Sequence, residues 1–277
     1  MFKRVLFAGI FLGIVVCARA ADDTNSPPVT FADKKLEKAV RYFVLEKRET
    51  DKPLTEADLY HLSTIKATGL AITNLQGLEK CVSLASLDLA TNNIKDLSPI
   101  AKLSRIQYLN LAFNRIEDLS PLSEIYALQY IELTKNRVKS IAPLSKLTNM
   151  AALYLNGNEI SDIGAVAGMR RLSSLYLDNN KVKSLEPLRN ITGLSSLSLN
   201  NNQVSDLEPL IKMDRLYFLF LENNKIKELG NWPALEGRAT NEFLPFLNLY
   251  IKGNPLSRIS KKKLDYLKDL GTRIQSR

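Results

Sequence analysis

The chain contains 277 residues, of which 45% are hydrophobic, and its 38 lysines and arginines against 29 aspartates and glutamates give a formal net charge of +9. Its one histidine, His61, has no obvious serine or cysteine nucleophile beside it, which argues against Ser–His or Cys–His catalysis. No Cys-x-x-Cys or His-x-x-x-His spacing indicates a metal site, and no G-x-x-x-x-G-K-[ST] motif indicates a phosphate loop. We therefore expect no enzyme activity, no catalytic residues, no metal and no cofactor.

The N-terminus has the organisation of a secretory signal peptide. Lys3 and Arg4 precede an apolar run that continues to Val16, and small residues occupy both cleavage positions that follow. This pattern predicts a signal peptide over residues 1–20, cleaved after Ala20. The run is shorter than the ~20 apolar residues that a transmembrane helix needs, and no later segment approaches that length. We therefore expect a secreted or periplasmic mature protein with no transmembrane segment.

The two cysteines lie in different contexts. Cys17 raises the alternative of a lipid anchor, but Val16 precedes it where lipoprotein signals have a small residue, so we favour cleavage after Ala20. The mature chain then retains only Cys81, which cannot form an intramolecular disulfide. Cys81 takes a position that Leu103 and other apolar residues fill in later repeats, which indicates a buried structural thiol.

Residues 21–61 are predicted to form a polar leader followed by a helical cap. Asp33 can accept hydrogen bonds at the start of a helix whose apolar side chains, beginning with Leu36, recur at helical spacing. The sequence Thr55-Glu56-Ala57-Asp58 resembles a capping box and predicts a second, short helix that ends near His61. Two helices before the first repeat would cover the apolar end that a solenoid otherwise exposes.

One pattern returns every 22 residues from Leu84 to Leu229. It reads L-x-x-L-x-L-x-x-N-x-[IV]-x-x-[LI], which is the signature of a leucine-rich repeat. A first coil that departs from the pattern at Leu70, and a last coil that follows an insertion near residues 230–243, extend the array to about nine coils over residues 62–257. The insertion either carries function or packs over the end of the core.

Each repeat is predicted to make one short strand and one irregular return. Alternation places the leucines of L-x-x-L-x-L inside and the residues between them outside. Proline on the return, as in Asp96-Leu97-Ser98-Pro99, excludes a long helix and favours 3₁₀ or irregular turns. The predicted fold class is an α/β solenoid, a right-handed leucine-rich repeat superhelix. Its parallel β-sheet lines the concave face, 3₁₀ or irregular turns form most of the convex side, and helical caps close both ends.

An asparagine follows each repeat strand. Its carboxamide can donate to and accept from both the turning backbone and the neighbouring coil. We therefore interpret these asparagines as a structural ladder rather than as ligands. The ladder positions are Asn92, Asn114, Asn136, Asn158, Asn180, Asn202, Asn224 and Asn254.

Residues 258–277 are predicted to form a helical C-terminal cap. Ser260 can begin the helix, Leu264 and Leu267 face inward, and Gly271 ends it. The segment contains seven Lys or Arg and two Asp. We interpret this charge as the solvated face of the helix, with contact to an anionic lipid or polysaccharide as the alternative. We expect no nucleic-acid partner, because nothing in the sequence resembles a nucleic-acid-binding fold.

The 22-residue unit with D-L-x-P-L on its return, together with the segments 54–59 and 77–81, resembles bacterial secreted leucine-rich repeat proteins of the internalin type. The resemblance covers nearly all of the mature chain. It implies a curved scaffold whose concave sheet binds a protein. The sequence shows no immunoglobulin-like domain after the repeats and no L-P-x-T-G sorting signal, so we do not extend the resemblance to cell-wall anchoring or host-cell invasion.

The outward strand positions carry aromatic residues in six of eight coils. Large amphipathic rings among carboxylates match the composition of protein-binding hot spots. We therefore predict that the concave face binds a protein partner. The predicted partner-binding residues are Tyr108, Tyr130, Glu132, Tyr154, Tyr176, Asp178, Phe218, Phe220, Glu222 and Tyr250.

Three alternatives to protein binding remain open at this point. The rings could serve only to stack on each other and stabilise the sheet. They could instead stack on sugar rings, which would make the protein a carbohydrate- or cell-envelope-binding module. The solenoid could also be a purely structural spacer. We favour protein binding because an exposed aromatic patch of roughly several hundred Å² is unusual without a partner.

Overall fold

The computed structural model describes residues 26–233 and 247–276. The predicted signal peptide, its cleavage position after Ala20, and Cys17 lie outside the described residues, as does most of the insertion near residues 230–243. Within the described ranges, ten parallel strands form one sheet, and each strand pairs with its neighbours in sequence order. None of the helices in these ranges combines the length and the apolar character that a membrane crossing requires.

Every strand is three residues long, and most returns contain a 3₁₀ turn. The strands are β1 (Thr64–Lys66), β2 (Ser86–Asp88), β3 (Tyr108–Asn110), β4 (Tyr130–Glu132), β5 (Ala152–Tyr154), β6 (Ser174–Tyr176), β7 (Ser196–Ser198), β8 (Phe218–Phe220), β9 (Asn248–Tyr250) and β10 (Arg273–Gln275). The α-helices are α1 (Lys34–Arg41), α2 (Glu56–Tyr60) and α3 (Arg258–Asp269). The 3₁₀ turns are Leu45–Lys47, Leu78–Lys80, Ser98–Ile100, Ser120–Leu122, Ala142–Lys146, Gly164–Gly168, Glu186–Leu188 and Glu208–Leu210. The predicted fold class is confirmed.

A hydrophobic core runs along the inside of the coils. The middle residue of each repeat strand points inward and is fully buried, as at Leu109, Ile131 and Leu153. The pairing register advances by 22 residues from strand to strand, so Ile131 pairs with both Leu109 and Leu153. Between β8 and β9 the register advances by 30 residues, because Phe218 pairs with Asn248. The eight extra residues therefore leave the strand pairing intact.

The return segments confirm the predicted use of proline. Five 3₁₀ turns carry proline at their first or second position. Proline has no N–H to continue a longer helix, and an apolar residue just after it reaches the core in each of these turns. These buried residues are Ile100, Leu122, Leu144, Leu188 and Leu210.

The asparagines that follow the strands connect successive coils. Asn158 Nδ2 donates to the carbonyl oxygens of Leu155 in its own coil and Leu133 in the preceding coil, both at 2.9 Å. Asn158 Oδ1 accepts from the N–H of Val138 at 2.9 Å. The same contacts recur along the array through Asn254, which bonds to Leu221 O at 2.8 Å across the longer spacing. Each asparagine thus satisfies backbone groups that would otherwise be buried without partners.

The first coil lacks its own asparagine for a structural reason. Each ladder side chain bonds back to the coil before it, and the first coil has no such neighbour. The N–H groups of Leu70 and Ile72 donate instead to Asn92 Oδ1, at 3.1 and 3.0 Å. Asn92 of the second coil therefore satisfies the backbone of the first-coil turn, where Leu70 takes the asparagine position.

The N-terminal cap is fixed by two acidic side chains. Asp33 Oδ1 accepts from Lys35 N–H at 2.9 Å and begins α1, while its Oδ2 accepts from Thr73 N–H in the first coil at 2.8 Å. Thr55 and Asp58 form the predicted capping box at the start of α2. Lys47 adds an ion pair to Asp58 with a 2.6 Å contact. Asp33 thereby attaches α1 to the first repeat, and Asp58 ties α2 to the segment between the two helices.

The C-terminal cap differs from the prediction in two ways. Ser257, not Ser260, is the N-cap of α3, and its Oγ accepts from Ser260 N–H at 3.1 Å. Ser260 is instead buried, and its Oγ accepts from Leu229 N–H at 3.0 Å, which fixes the helix to the last regular coil. After Gly271, whose φ is +97°, the chain adds a tenth strand that pairs with β9. The sequence-based prediction did not include this strand.

Candidate functional site

The ten predicted partner-binding residues all lie on the solvent side of the sheet. We call this surface the sheet face; it comprises the first and third residues of each strand and the second residue after it. The five tyrosines among the ten are half-buried, and Phe218 is 44% exposed. The repeat holds these side chains at fixed spacing, because each strand is anchored from beneath by a buried leucine or isoleucine.

Four tyrosines of the sheet face form one continuous row. Tyr108 and Tyr130 pair across β3 and β4, and their stacked rings have centroids 4.5 Å apart. Tyr154 and Tyr176 pair across β5 and β6 and stack at 4.9 Å. The two stacked pairs are linked by a tilted contact of 5.3 Å between Tyr130 and Tyr154. The tilted contact joins the two stacked pairs into one row.

A second aromatic cluster lies further along the sheet face. Phe220 stacks on Tyr250 at 4.5 Å, and Phe218 lies parallel to Phe220 at 6.4 Å between centroids. The pairing of β8 with β9 brings Phe220 and Tyr250 together across the longer sequence spacing. The sheet face therefore presents two groups of rings separated by the short side chains of β7.

The serines of β7 are covered rather than exposed. Alternation predicts that Ser196 and Ser198 face solvent, but they are only 7% and 2% exposed. Each pairs with a phenylalanine of β8, and Ser198 also pairs with Tyr176 of β6. The Tyr176 hydroxyl and Ser196 Oγ share a hydrogen bond of 2.8 Å. The larger side chains on either side thus bury this strand although it points outward.

Asp178 has a structural role within the sheet face. Its Oδ1 accepts from Ser198 Oγ at 2.6 Å and from Asn200 N–H at 2.7 Å. Burial raises the pKa of Asp178, and these hydrogen bonds oppose the rise. In the same row, Asn156 Oδ1 accepts from Asp178 N–H and Asn200 Oδ1 accepts from Glu222 N–H, both at 2.8 Å. These polar side chains form a second, solvent-side set of links between coils.

The tyrosine hydroxyls remain protonated near neutral pH. Burial is the main cause that raises the pKa of Tyr108, Tyr130 and Tyr154. The nearby carboxylates add to the effect, Asp88 for Tyr108 and Glu132 for Tyr130. These hydroxyls are therefore available as hydrogen-bond donors at the rim of an apolar row, a combination that suits a binding surface.

The sequence analysis missed two exposed aromatics at the borders of the sheet face. Phe113 follows β3 and is 55% exposed, and Tyr217 precedes β8 and is 45% exposed. Neither occupies an outward strand position. The sequence did contain a signal for Phe113. The equivalent residues in neighbouring coils are Thr91, Lys135 and Gly157, and none of them is aromatic.

Metal-ligating side chains are not grouped in the described part of the chain. Across residues 26–233 and 247–276, no set of three or more His, Cys, Asp or Glu is placed to hold an ion. His61 lies exposed at the end of α2 and contacts Tyr60 edge to face, with ring centroids 5.0 Å apart. Aromatic stacking and hydrogen bonding are the chemistry that the sheet face offers.

Comparison with known proteins identifies the repeat. The family described as Leucine Rich repeats (2 copies) matches residues 82–124, 148–190 and 192–234. The sequence has no match among curated proteins.

Solved structures with the same fold include two internalins of Listeria monocytogenes. One, InlF, is 29% identical with a TM-score of 0.76, and the match covers 90% of this chain and 78% of that one. Internalin C2 is 26% identical with a TM-score of 0.70, and the match covers 92% of this chain and 97% of that one. A leucine-rich repeat protein of Leptospira interrogans shares the fold at 23% identity and a TM-score of 0.61, covering 73% of this chain and 57% of that one. The chain therefore contains leucine-rich repeats and has a fold that solved internalins share.

Proposed function

We propose that the protein is a non-enzymatic scaffold, secreted or periplasmic, that holds a protein partner on the sheet face. The observation that carries this proposal is the row of Tyr108, Tyr130, Tyr154 and Tyr176, four half-buried rings in continuous contact on the outside of a rigid sheet. Rigid tyrosines lose little conformational entropy on binding and supply both apolar area and a hydroxyl donor. The internalin-like neighbours support a secreted binding protein of this kind.

The stacked arrangement favours a protein over a glycan. A sugar that binds an aromatic residue lies flat on the face of the ring. Within the row, however, neighbouring rings are 4.5 to 5.3 Å apart, so the faces between Tyr108 and Tyr176 are occupied by the rings themselves and only the outer faces of the two end rings are free. The ring edges remain available along the row, and these suit the side chains and backbone of a polypeptide.

Partner capture with matched variants tests the proposal. The mature chain, residues 21–277, is immobilised and exposed to envelope extract and culture medium. Tyr130→Ala with Tyr154→Ala is expected to abolish capture of the partner, because it removes the two central rings. Tyr60→Ala with Tyr266→Ala removes two exposed tyrosines outside the sheet face and is expected to leave capture unchanged.

A second variant separates binding from folding. Tyr130→Phe with Tyr154→Phe keeps the stacked rings and removes only the hydroxyls, so its unfolding temperature is expected to stay near that of the parent. Capture that survives the alanine variant would refute the sheet face as the binding surface. A glycan array run in parallel identifies the carbohydrate alternative, and N-terminal sequencing of exported protein tests cleavage after Ala20.

A further inference from the structure

The sheet face differs in charge from the rest of the molecule. Across β2 to β8, none of its positions carries Lys or Arg, although the whole chain has a formal net charge of +9. The same positions carry Asp88, Glu132, Asp178 and Glu222. Cations occur only toward the ends of the sheet face, beginning with Lys66 on β1. The most aromatic surface of this basic protein is therefore also an acidic one.

Carboxylates on the return side have different partners from the carboxylates on the sheet face. On the return side they pair with cations of neighbouring coils, as Glu159 does with Lys181 at 3.0 Å. Within the described residues, no ion pair includes Asp88, Asp178 or Glu222. Asp88 has only a 3.2 Å hydrogen bond from the N–H of Ala90. The sheet face thus keeps negative charge that the chain itself does not neutralise.

The first aromatic group provides a ring beside such a carboxylate, and the second lies on a strand that another such carboxylate follows. Tyr108 is the first ring of the tyrosine row. Tyr130 stacks on one side of it, and on the other side its strand partner is the small Ser86. Asp88 lies on the same strand as Ser86 and is close enough to influence the Tyr108 hydroxyl. Phe218, 44% exposed, is the first residue of β8, and Glu222 lies four residues after it. A ring face next to a carboxylate suits a guanidinium or ammonium group, which gains from both.

We propose that the partner held on the sheet face is a protein segment rich in arginine and lysine, whose cations contact Asp88 together with Tyr108 and, beside the second aromatic group, contact Glu222. This inference rests on the proposed function and adds the chemistry of the partner. The cations of the central coils lie in the turns on either side of the strands, as at Arg105, and so border the site without entering it. The partner's positive charge is drawn to the middle of the sheet face, where complementary charge raises the association rate and excludes acidic competitors.

Selection from a random twelve-residue peptide display library on the mature chain tests this inference. Peptides that compete for the sheet face are expected to carry a clear excess of arginine and lysine. Their selection is expected to be lost on Tyr130→Ala with Tyr154→Ala. A fluorescent selected peptide is then used in anisotropy titrations, where Glu222→Lys is expected to weaken binding by about tenfold, or ~1.4 kcal/mol.

A charge-matched control makes the result specific. Glu124→Lys and Asp214→Lys make the same charge change at exposed positions in the turns and are expected to leave the anisotropy titration unchanged. Combined Asp88→Lys and Glu222→Lys are expected to turn the library selection toward acidic peptides. Circular dichroism of each variant confirms that the fold is retained.

The outcomes distinguish the two proposals. Selected peptides that need the tyrosines but carry neutral or negative charge would overturn the cationic partner and leave the sheet face as a binding surface. Selected peptides that bind the alanine variant equally well would overturn both proposals. Equal weakening by Glu222→Lys and by the turn controls would show a long-range charge effect in place of the contacts proposed, and would also overturn the inference.

Discussion

The rings of Tyr130 and Tyr154 are in tilted contact, with centroids 5.3 Å apart, although Tyr130 is the first residue of β4 and Tyr154 is the last residue of β5. Tyr130 pairs with Ala152 across β4 and β5, and Tyr154 pairs with Glu132, so the contact between the tyrosines is diagonal. The small side chain of Ala152 leaves space for the Tyr130 ring to reach the Tyr154 ring. Two stacked pairs thereby become one row, which no single repeat could form.

Alkaline pH is expected to destabilise the protein through this row. Burial raises the pKa of Tyr108, Tyr130 and Tyr154 in the folded state, whereas a tyrosine in an unfolded chain ionises near pH ~10. Above that pH the unfolded state binds fewer protons than the folded state. The free energy of unfolding therefore falls as the pH rises, and urea unfolding between about pH 8 and pH 11 measures the fall.

Phenylalanine variants test whether these tyrosines cause the pH dependence. Tyr130→Phe with Tyr154→Phe removes two ionising groups but keeps the rings, so the unfolding free energy is expected to depend less steeply on alkaline pH. Tyr60→Phe with Tyr266→Phe makes the same change at exposed positions outside the sheet face. If both double variants showed the same slope as the parent, the buried row would not be the source of the effect.

Replacing a ladder asparagine is expected to destabilise the solenoid. Asn158→Ala removes the partner of the Val138 N–H, and it removes one of the two asparagine hydrogen bonds that Leu133 O and Leu155 O each accept. Because an unsatisfied buried backbone group costs about 1–3 kcal/mol, the free energy of unfolding in urea is expected to fall by at least that amount. Asn93→Ala, beside a ladder position but with no side-chain hydrogen bond in the described residues, is the control. A loss no larger than that of the control would contradict the ladder's role.

The sequence predicted those features that depend on a residue's own repeat. The 22-residue period places Leu109 inside and Tyr108 outside, and proline at Pro121 indicates a short return turn; all three are seen. The same residue pattern resumes after the longer spacing from Asn224 to Asn254, and it predicted the last coil that pairs there.

Features that depend on several coils together could not be predicted from alternation. Ser198 points outward, yet it is 2% exposed because Phe220 and Tyr176 pair with it from both sides. Likewise, the sequence pattern placed the start of the C-terminal helix at Ser260, whereas its N-cap in the structure is Ser257. The choice between them follows from the contact of Ser260 with Leu229, 31 residues earlier in the chain.

The thiol of Cys81 is expected to be unreactive until the protein unfolds. Burial raises the pKa of Cys81 to about 12, and the thiolate is the reactive form. At pH ~8 alkylation by iodoacetamide is therefore expected to be on the order of a thousandfold slower in the native chain than in urea. Cys81→Ala with Val82→Cys moves the thiol to an exposed neighbouring position and is expected to restore rapid labelling. Rapid labelling of the native parent would show that the first coil opens.

Thr91→Asn is expected to stabilise the protein. Thr91 has a φ of +60°, and the equivalent residues Asn179, Asn201 and Asn223 share this left-handed conformation. A β-branched side chain is strained there, whereas asparagine tolerates it. The substitution should therefore raise the free energy of unfolding by about 1 kcal/mol, measured by urea denaturation. Thr148→Asn makes the same chemical change at an exposed turn position without positive φ and is expected to have little effect. Equal effects of the two substitutions would show that asparagine stabilises for a reason other than relief of strain in the left-handed position.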